Sequence, residues 1–239
     1  MERNGQIMEK MKLGIVGFGF MGHCDADMMA TFDEIDLVAV ADTNPEQLKD
    51  APEGVETYGS IDEMLEKADI NVVMVSTPNP SHPEMVKKAA AAKKHVICEK
   101  PAAMSVAEFD EMVAACKENG VIFTVHQQRR WDTDYRIMKE VYDKNMVGDM
   151  YVIKSQLYGF NGNMHDWHVY PEMGGGMLYD WGVHLIDQML DMVKSDIVSL
   201  YADVQNVINE NVDDYFNIIM KFANGQSADG SSAETKDLQ

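Results

Sequence analysis

The chain has 239 residues, of which 46% are apolar, so it is long enough for one large domain or two small domains with buried cores. Forty acidic residues against 20 basic ones give a net charge of -20. That charge would repel phosphate backbones and anionic lipid surfaces, so we expect neither nucleic acid nor a membrane surface as a partner. No stretch approaches the roughly 20 apolar residues of a membrane-spanning helix.

The three cysteines, Cys24, Cys98 and Cys116, have neither the paired spacing of a disulfide scaffold nor that of a zinc site. The N-terminal segment has only a short apolar run, which breaks into glycines rather than a small-residue cleavage site. We therefore predict a cytoplasmic protein with reduced thiols and no signal peptide.

Residues 11–128 alternate short apolar runs with helix-like stretches, which is typical of parallel strands joined by crossover helices. The predicted strands are Lys12–Val16, Leu37–Ala41, Val72–Ser76, His95–Cys98 and Val121–Val125. Capping boxes begin two of the intervening helices, and a glycine is placed to end the second helix: Ser60 with Glu63, Ser105 with Glu108, and Gly120. The first domain is therefore predicted as α/β, with a doubly wound parallel sheet of the Rossmann type.

The pattern changes after Trp131, where strands and helices stop alternating regularly. The predicted elements are a helix at Thr133–Lys144, a strand at Met150–Tyr158, a helix at Leu178–Val193, and strands at Val198–Val204 and Tyr215–Phe222. A glycine-rich aromatic loop separates the first of these strands from the second helix. We therefore expect a partial α+β domain over residues 129–225, with a sheet of its own.

The end of the chain does not follow the same pattern. Asn224-Gly225 after an alternating strand is a strong hairpin signal, which calls for a returning apolar strand. Residues 226–239 are instead polar and contain few apolar side chains. We expect an irregular polar tail there, an unprotected edge on the sheet before it, and a second domain that is incomplete.

A glycine-rich hexapeptide, Gly17-Phe18-Gly19-Phe20-Met21-Gly22, follows the first predicted strand and opens a helix. Gly17 permits a tight turn, Gly19 lets the backbone approach a pyrophosphate, and Gly22 allows close helix packing. The helix N-terminus attracts the negative phosphates, so Phe20 and Met21 would also lie at the cofactor. The alternative is an ordinary strand-to-helix turn.

Asp42 stands about 20 residues beyond this motif, at the end of the second predicted strand. A carboxylate there can accept hydrogen bonds from the adenosine ribose hydroxyls. No Arg or Lys occurs between Gly22 and Lys49, so a 2'-phosphate would meet a negative charge without a nearby cation. The sequence therefore favours NAD over NADP.

Two turns follow later strands of the same predicted sheet. Thr77-Pro78-Asn79-Pro80-Ser81-His82 comes after the third strand, and Glu99-Lys100-Pro101 comes after the fourth. The carboxyl ends of parallel strands form the edge where ligands of α/β proteins bind. Taken alone, both turns are better interpreted as ordinary surface loops.

In the second half, Asp180 and His184 stand four residues apart, hence on one face of the predicted helix. A carboxylate beside an imidazole can orient it as a general base, although such a pair is more often a surface pair or a core histidine. His165 and His168 lie on either side of Trp167 in the aromatic loop and could line a substrate pocket, ligate a metal or simply be exposed. No carboxylate or cysteine spacing completes a metal site there, so no metal is predicted.

Taken together, these motifs resemble the Gfo/Idh/MocA oxidoreductases, which include glucose-fructose oxidoreductase and inositol dehydrogenase. The resemblance covers about residues 12–225. It rests on the Gly17–Gly22 motif, Asp42, Thr77-Pro78-Asn79, Glu99-Lys100-Pro101, Arg129-Arg130-Trp131-Asp132 and Asp180-Trp181-Gly182-Val183-His184.

The resemblance implies an open-faced sheet after the Rossmann domain, and oxidation of a secondary alcohol on a sugar, polyol or glycoside by hydride transfer to NAD. Lys100 would bind the reacting hydroxyl and the nicotinamide region, and His184 would be the base. Asp180 would contact or orient the reacting groups. The implied cofactor-binding set adds Thr77, Pro78, Asn79, His82 and Glu99 to the residues above. The implied substrate-binding set is Arg130, Asp132, Trp167 and His168, with a structural salt bridge as the alternative for Arg130 and Asp132.

Two other functions are compatible with the same motifs. Relatives of the same type include NAD-dependent glycosidases, which oxidise their substrate transiently to eliminate a glycosidic bond. The second alternative function is that of a nucleotide-sensing regulator without turnover, although the presence of Lys100 and His184 argues against it. We expect a homo-oligomer if the second domain is complete.

Overall fold

The computed structural model describes residues 2–3, 6–7, 10–160 and 166–235. The chain divides into two compact units, Met1–His126 and Gln127–Gln239. The division falls two residues before the predicted boundary. In the described part of the chain, no helix has both the length and the apolar character needed to cross a bilayer.

The first unit is built on a six-stranded sheet with every strand parallel to its neighbours. Its strands are β3 (Met11–Val16), β4 (Ile35–Ala41), β5 (Glu56–Tyr58), β6 (Val72–Val75), β7 (His95–Cys98) and β8 (Phe123–Val125), after a short antiparallel pair of β1 (Glu2–Arg3) and β2 (Gln6–Ile7). The spatial order is β5-β4-β3-β6-β7-β8, the order of dinucleotide-binding folds. The predicted doubly wound sheet is confirmed; the short polar strand β5 was not predicted.

Four helices accompany this sheet: α1 (Phe20–Met29), α2 (Ile61–Lys67), α3 (His82–Ala91) and α4 (Val106–Asn119). Both sheet faces are buried, because Val72 and Met74 join one apolar cluster while Val73 and Val75 join the other. The helix ends are those that the capping pattern predicts. The hydroxyls of Ser60 and Ser105 each accept from the backbone N–H three residues on, and Gly120 ends α4 at a φ of 68°.

The second unit has a four-stranded mixed sheet in the order β10-β11-β12-β9. Its elements are α5 (Thr133–Asp143), β9 (Val152–Phe160), α6 (Val183–Met192), β10 (Ile197–Gln205), β11 (Tyr215–Phe222) and β12 (Ser227–Thr235). Phe216, Ile218 and Met220 alternate along β11 into a core that includes Leu185 and Met189 of α6. The side chains between them are half-buried or exposed, as in a sheet with one helix-covered face.

The predicted irregular tail is wrong for residues 227–235, which form β12. This strand pairs antiparallel with β11 and parallel with β9, so β11 has no unprotected edge. The pairing uses backbone groups, and the buried face needs small side chains rather than large apolar ones. Ala228 and Ser232 are fully buried, and a Cβ atom on Gly230 would lie 2.5 Å from Met189 Cε. Composition misled the prediction because α6 approaches too closely for bulky residues.

The hairpin signal itself is confirmed, since Gly225 has a φ of 87° between β11 and β12. The predicted helix over Leu178–Val193 begins differently from the expectation. Residues Leu178–Gly182 form a wider π-helical turn before the α-helix starts at Val183. That turn contains Asp180, so the regular four-residue spacing to His184 does not hold there.

Candidate active-site residues in the two units

The glycine-rich motif has the geometry that its sequence predicts. Gly17 has a φ of 86°, and a Cβ atom there would lie 2.5 Å from the backbone nitrogen of Thr77. A Cβ atom on Gly22 would lie 2.2 Å from the Gly17 carbonyl oxygen, whereas one on Gly19 would meet nothing within 4 Å. Gly19 caps the start of α1, whose first turn has no acidic residue. Space and unopposed backbone N–H groups therefore fit a pyrophosphate at this helix end.

Asp42 lies directly after β4 and is hydrogen-bonded to the glycine-rich loop. Its carboxylate accepts from the backbone N–H of Phe18 at 2.7 Å and from that of Asn44 at 2.7 Å. Phe18 is fully buried, which anchors the loop. Each carboxylate oxygen keeps a second lone pair, so Asp42 retains the capacity to accept from ribose hydroxyls.

His82 joins the two turns that the sequence singled out. Its ring nitrogens contact the carbonyl oxygens of Pro101 at 2.9 Å and Thr77 at 2.7 Å, and the residue is fully buried. Burial lowers the pKa of His82 despite these contacts. His82, which was predicted to bind the cofactor, links the two neighbouring loops through these contacts. Asn79 is also largely buried, whereas Thr77 is half-buried.

Lys100 follows β7 at the carboxyl edge of the sheet and is half-buried. Its backbone N–H donates to Glu99 Oε2 at 3.2 Å, and the side chain of Glu99 is buried with 4% exposure. Glu99 therefore acts on the turn that carries Lys100 rather than presenting its carboxylate to solvent. The nucleotide loop after β3 lies at the same sheet edge, because all six strands are parallel.

The sequence interpretation missed a buried cluster of Asp25, Glu99 and His126. His126 Nδ1 donates to Glu99 Oε1 and lies 3.7 Å from Asp25 Oδ1. The three side chains could supply ligand atoms to one ion, but the His126 nitrogen facing the carboxylates carries a proton, which a metal-binding nitrogen must lose. The geometry therefore favours an ion pair. His126 directly follows β8, so the rule that pointed to Glu99 could have found it; nothing local points to Asp25.

In the second unit, the aromatic loop and the π-helical turn bring Trp167, His168 and Asp180 together. The Trp167 and His168 rings stack with centroids 3.8 Å apart, and His168 Nε2 lies 3.8 Å from Asp180 Oδ2. The adjacent glycines are required by packing, since a Cβ atom on Gly175 would lie 2.3 Å from the His168 carbonyl oxygen. His165 lies outside the described residues.

His184 is buried in α6 with 2% exposure, and its Nδ1 lies 3.1 Å from the amide oxygen of Gln127. An amide oxygen accepts only, so this contact requires hydrogen on Nδ1 and leaves the lone pair on Nε2. The sequence predicted Asp180 as the group that orients His184. The structure gives the ring a neutral partner in Gln127, and the edge of the Trp181 ring faces it with the ring centroids 6.0 Å apart.

Arg130 and Asp132 form ion pairs within the second unit. The Arg130 guanidinium binds Asp187 through two hydrogen bonds of 2.7 and 2.6 Å, and Arg129 binds Asp132 at 3.0 Å. Arg129 also lies over the Trp181 ring at 4.2 Å. These contacts favour the salt-bridge alternative for Arg130 and Asp132 over direct substrate binding.

Two family models match the chain. One is described as an oxidoreductase family with an NAD-binding Rossmann fold and matches residues 11–127. The other, described as the Gfo/Idh/MocA C-terminal domain, matches residues 135–234 and so includes all but the last residue of β12.

Individual proteins match over both units. An NAD-binding protein from Listeria innocua, a solved structure, is 35% identical with a TM-score of 0.91, covering 97% of this chain and 69% of that one. The myo-inositol 2-dehydrogenase of Thermotoga maritima is 27% identical over 205 residues, 84% of this chain and 60% of that protein. The scyllo-inositol 2-dehydrogenase (NADP(+)) of Bacillus subtilis is 27% identical over 225 residues, 92% of this chain and 62% of that protein. The chain therefore spans less than two thirds of these two relatives, and it belongs to the Gfo/Idh/MocA family of NAD-binding oxidoreductases.

Proposed function

We propose that this protein oxidises a secondary alcohol of a sugar, polyol or glycoside with NAD. The observation that carries the proposal is the position of Lys100 at the same sheet edge as the glycine-rich loop. A cation placed there can face the reactive end of a dinucleotide whose phosphates lie at the start of α1. The names of the two inositol dehydrogenases support a polyol as the substrate class.

Bound NAD would supply the hydride acceptor, and the protein's share is orientation and electrostatics. The Lys100 ammonium stabilises the negative charge that develops on the alcohol oxygen. His184 accepts the hydroxyl proton on Nε2, because the Gln127 contact holds the hydrogen on Nδ1. Glu99 fixes the turn around Lys100 through the backbone contact described above.

Asp42 determines the preference for NAD over NADP in this proposal. Its carboxylate is held at the end of β4 by two backbone N–H groups, so it cannot turn away easily from an added phosphate. Like-charge repulsion then disfavours a 2'-phosphate. The NADP(+) in the name of one relative is a reason to test this choice directly.

Substrate recognition is assigned to the aromatic loop of the second unit. Trp167 offers a partly exposed aromatic face, and His168 and Asp180 beside it offer polar groups suited to sugar hydroxyls. Asp180 therefore acts in the proposal as a binding and orienting group for substrate through His168. Arg130 and Asp132 are left as structural ion pairs.

The test is a screen of inositols, sugars and glycosides with NAD, following the absorbance of the reduced nicotinamide. With a confirmed substrate, Lys100→Ala and His184→Ala should each lower turnover by about a hundredfold or more, the usual scale for a lost acid–base group. Lys117→Ala, at an exposed lysine of α4, is the matched control and should be neutral.

Three other results would contradict the proposal. Near-normal turnover of both variants would refute the catalytic assignment. Glycoside cleavage with NAD retained and no net absorbance change would indicate the glycosidase alternative. NAD binding without turnover of any compound in the screen would indicate the regulatory alternative.

A further inference from the structure

The buried cluster at the edge of the first sheet combines residues from four elements. Ser76, Glu99 and His126 are the first residues after β6, β7 and β8, which are neighbouring parallel strands. Asp25 reaches the same place from α1, the helix that begins at the glycine-rich loop. Asp25 is fully buried and Glu99 is 4% exposed. Two carboxylates therefore share one site from which water is largely excluded.

The contacts in this cluster form a chain that ends at the backbone of Lys100. Asp25 Oδ2 accepts from the Ser76 hydroxyl at 2.7 Å, and Asp25 Oδ1 lies 3.7 Å from His126 Nδ1. His126 donates to one oxygen of Glu99, and the other oxygen accepts from the Lys100 backbone N–H. His126 thus reaches Lys100 through Glu99, and Asp25 reaches it through His126 and Glu99.

The charges of the cluster are unevenly balanced. Burial and the charge of Glu99 raise the pKa of Asp25 to about 6. Burial opposes a charge on His126, but its hydrogen bond to Glu99 and the charges of Glu99 and Asp25 raise the His126 pKa above the ordinary value. Two other titratable groups lie near the charge of Glu99, which raises the pKa of each. Burial is the larger influence on both: it lowers the pKa of His82 and raises that of Cys98, so both groups are neutral near pH 7. His126 therefore supplies positive charge to two buried carboxylates.

Asp25 Oδ1 is the atom that a purely structural explanation leaves unexplained. It is buried and has no hydrogen-bond partner within the described residues. A buried acceptor without a donor is costly, and apolar side chains of similar volume commonly replace buried ion pairs without loss of stability. Costly buried charges concentrate at functional sites, where they tune neighbouring groups. The group that Asp25 can tune here is His126.

We propose that Asp25 and His126 are positioning residues for Lys100. Asp25 keeps His126 protonated, His126 holds the Glu99 carboxylate in place, and Glu99 holds the backbone amide of Lys100. The inference rests on the proposed catalytic role of Lys100. Misplacement of a reacting group by about 1 Å can cost about a hundredfold in rate, so an indirect hold of this kind is enough to matter.

The first test does not depend on activity. Nuclear magnetic resonance of the whole protein follows the His126 ring and the Lys100 backbone amide as pH changes. In the wild type, both signals should share one midpoint, above the ordinary histidine value. Asp25→Asn should lower that midpoint for both signals by at least half a pH unit, whereas Asp27→Asn, at an exposed site on the same helix, should leave it unchanged. A Lys100 amide that ignores the His126 titration would overturn the inference.

The second test uses turnover of a confirmed substrate. Asp25→Asn should lower kcat about tenfold or more, with KM and NAD affinity nearly unchanged, and should move the alkaline limb of the pH profile to lower pH along with the His126 midpoint. His126→Asn, whose amide can still donate to Glu99, should retain more activity than His126→Ala. Asp25→Asn provides the test if the His126 variants do not fold.

The results separate this inference from the function on which it rests. If Lys100→Ala is inactive while Asp25→Asn has normal kcat and an unchanged pH profile, the cluster is merely structural and the inference fails alone. If Lys100→Ala remains active, the catalytic role of Lys100 fails, whatever the resonance experiment shows. A changed unfolding temperature in Asp25→Asn with unaltered kinetics also counts against the inference.

Discussion

The two units of this chain specify their structures in different ways. In the first unit, short local signals such as the capping serines and Gly17 adopt the geometry that their sequence predicts. In the second unit, the polar strand β12 is ordered by partners far away in sequence, β9 on one side and β11 on the other. Local composition is therefore a good guide where a residue acts on its own turn, and a poor guide where backbone pairing decides.

The two buried histidines show a related difference. His126 in the first unit is held by a carboxylate, whereas His184 in the second unit is held by the neutral amide of Gln127. A carboxylate stabilises the charged ring, while an amide oxygen chiefly selects the tautomer. The first arrangement suits a group that stays protonated, and the second fixes which ring nitrogen carries the hydrogen.

The largest expected effect comes from ending the chain at Gln226, which removes β12. Without it, β9 loses the neighbour with which it pairs, and β11 is exposed along one edge. Hydrogen exchange should show lost protection in α6 and β11 but retained protection in β6. A chain ended at Thr235 is the control and should match the full protein. Retained protection of β11 after the deletion would contradict the role given to β12.

A smaller effect is expected from Asp25→Asn on stability. The folded-state pKa of Asp25 is raised from 3.8 to about 6, so the charged form is disfavoured in the fold. The wild type therefore loses stability as pH rises from about 4 to about 6, and this loss persists above pH 6. Asp25→Asn should be more stable at pH 7.5 by on the order of 1–3 kcal/mol, with the advantage vanishing below pH 4.

Chemical denaturation across that pH range measures this difference. Asp27→Asn should show no such pH-dependent gain. A variant that is less stable than the wild type at pH 7.5 would mean that the pairing of Asp25 with His126 outweighs the cost of burial.

The next prediction concerns Asp42, a local sequence signal whose effect is measured as cofactor affinity. The wild type should bind NAD at least tenfold more tightly than NADP, a difference of about 1.4 kcal/mol. Asp42→Asn should narrow this ratio, because its amide oxygen can still accept from Phe18 while the charge is gone. Titration calorimetry with both cofactors gives the ratio, and equal wild-type affinities would refute the assignment.

The smallest effect is expected at a helix cap of the first unit. Ser105→Ala removes the acceptor for the Glu108 backbone N–H and should lower the free energy of unfolding by about 1 kcal/mol. Ser105→Asp should restore most of that loss, since aspartate also caps helices. A loss above 3 kcal/mol in Ser105→Ala would show that the local signal has long-range consequences after all.

Much of the fold was predictable from the sequence, because the central strands of the first sheet are buried on both faces, β11 alternates in burial, and α2 and α4 begin at capping serines. The strand β7 was predicted with the bounds observed, and β11 likewise. The strand β5 was missed because three mostly polar residues carry no periodicity. The π-helical turn before α6 was also missed, since it arises where the chain packs around Asp213. A Cβ atom on Gly176 would lie only 2.2 Å from Asp213 Oδ1.

The candidate site was predictable where a residue directly follows a strand. Asp42 directly follows β4 and Lys100 stands two residues after β7, so both were singled out as candidates, and both lie at the predicted edge of the sheet. The contact of His184 with Gln127 was not predicted, because Gln127 is distant in sequence and an amide has no characteristic spacing. Asp25 could not be found either, since its significance depends on the two strand ends that surround it in the fold.

The position of β12 also affects how the chain folds during synthesis. Val152 of β9 pairs with Ser227, so the ribosome must add 75 further residues before the pairing can begin. At about 5–20 residues per second, β9 waits roughly 4–15 seconds without a neighbour. An unpaired strand is a template for aggregation, and a central charge is a common protection against it. Lys154 in β9 supplies that charge until Asp229 arrives beside it, 3.9 Å away in the finished sheet.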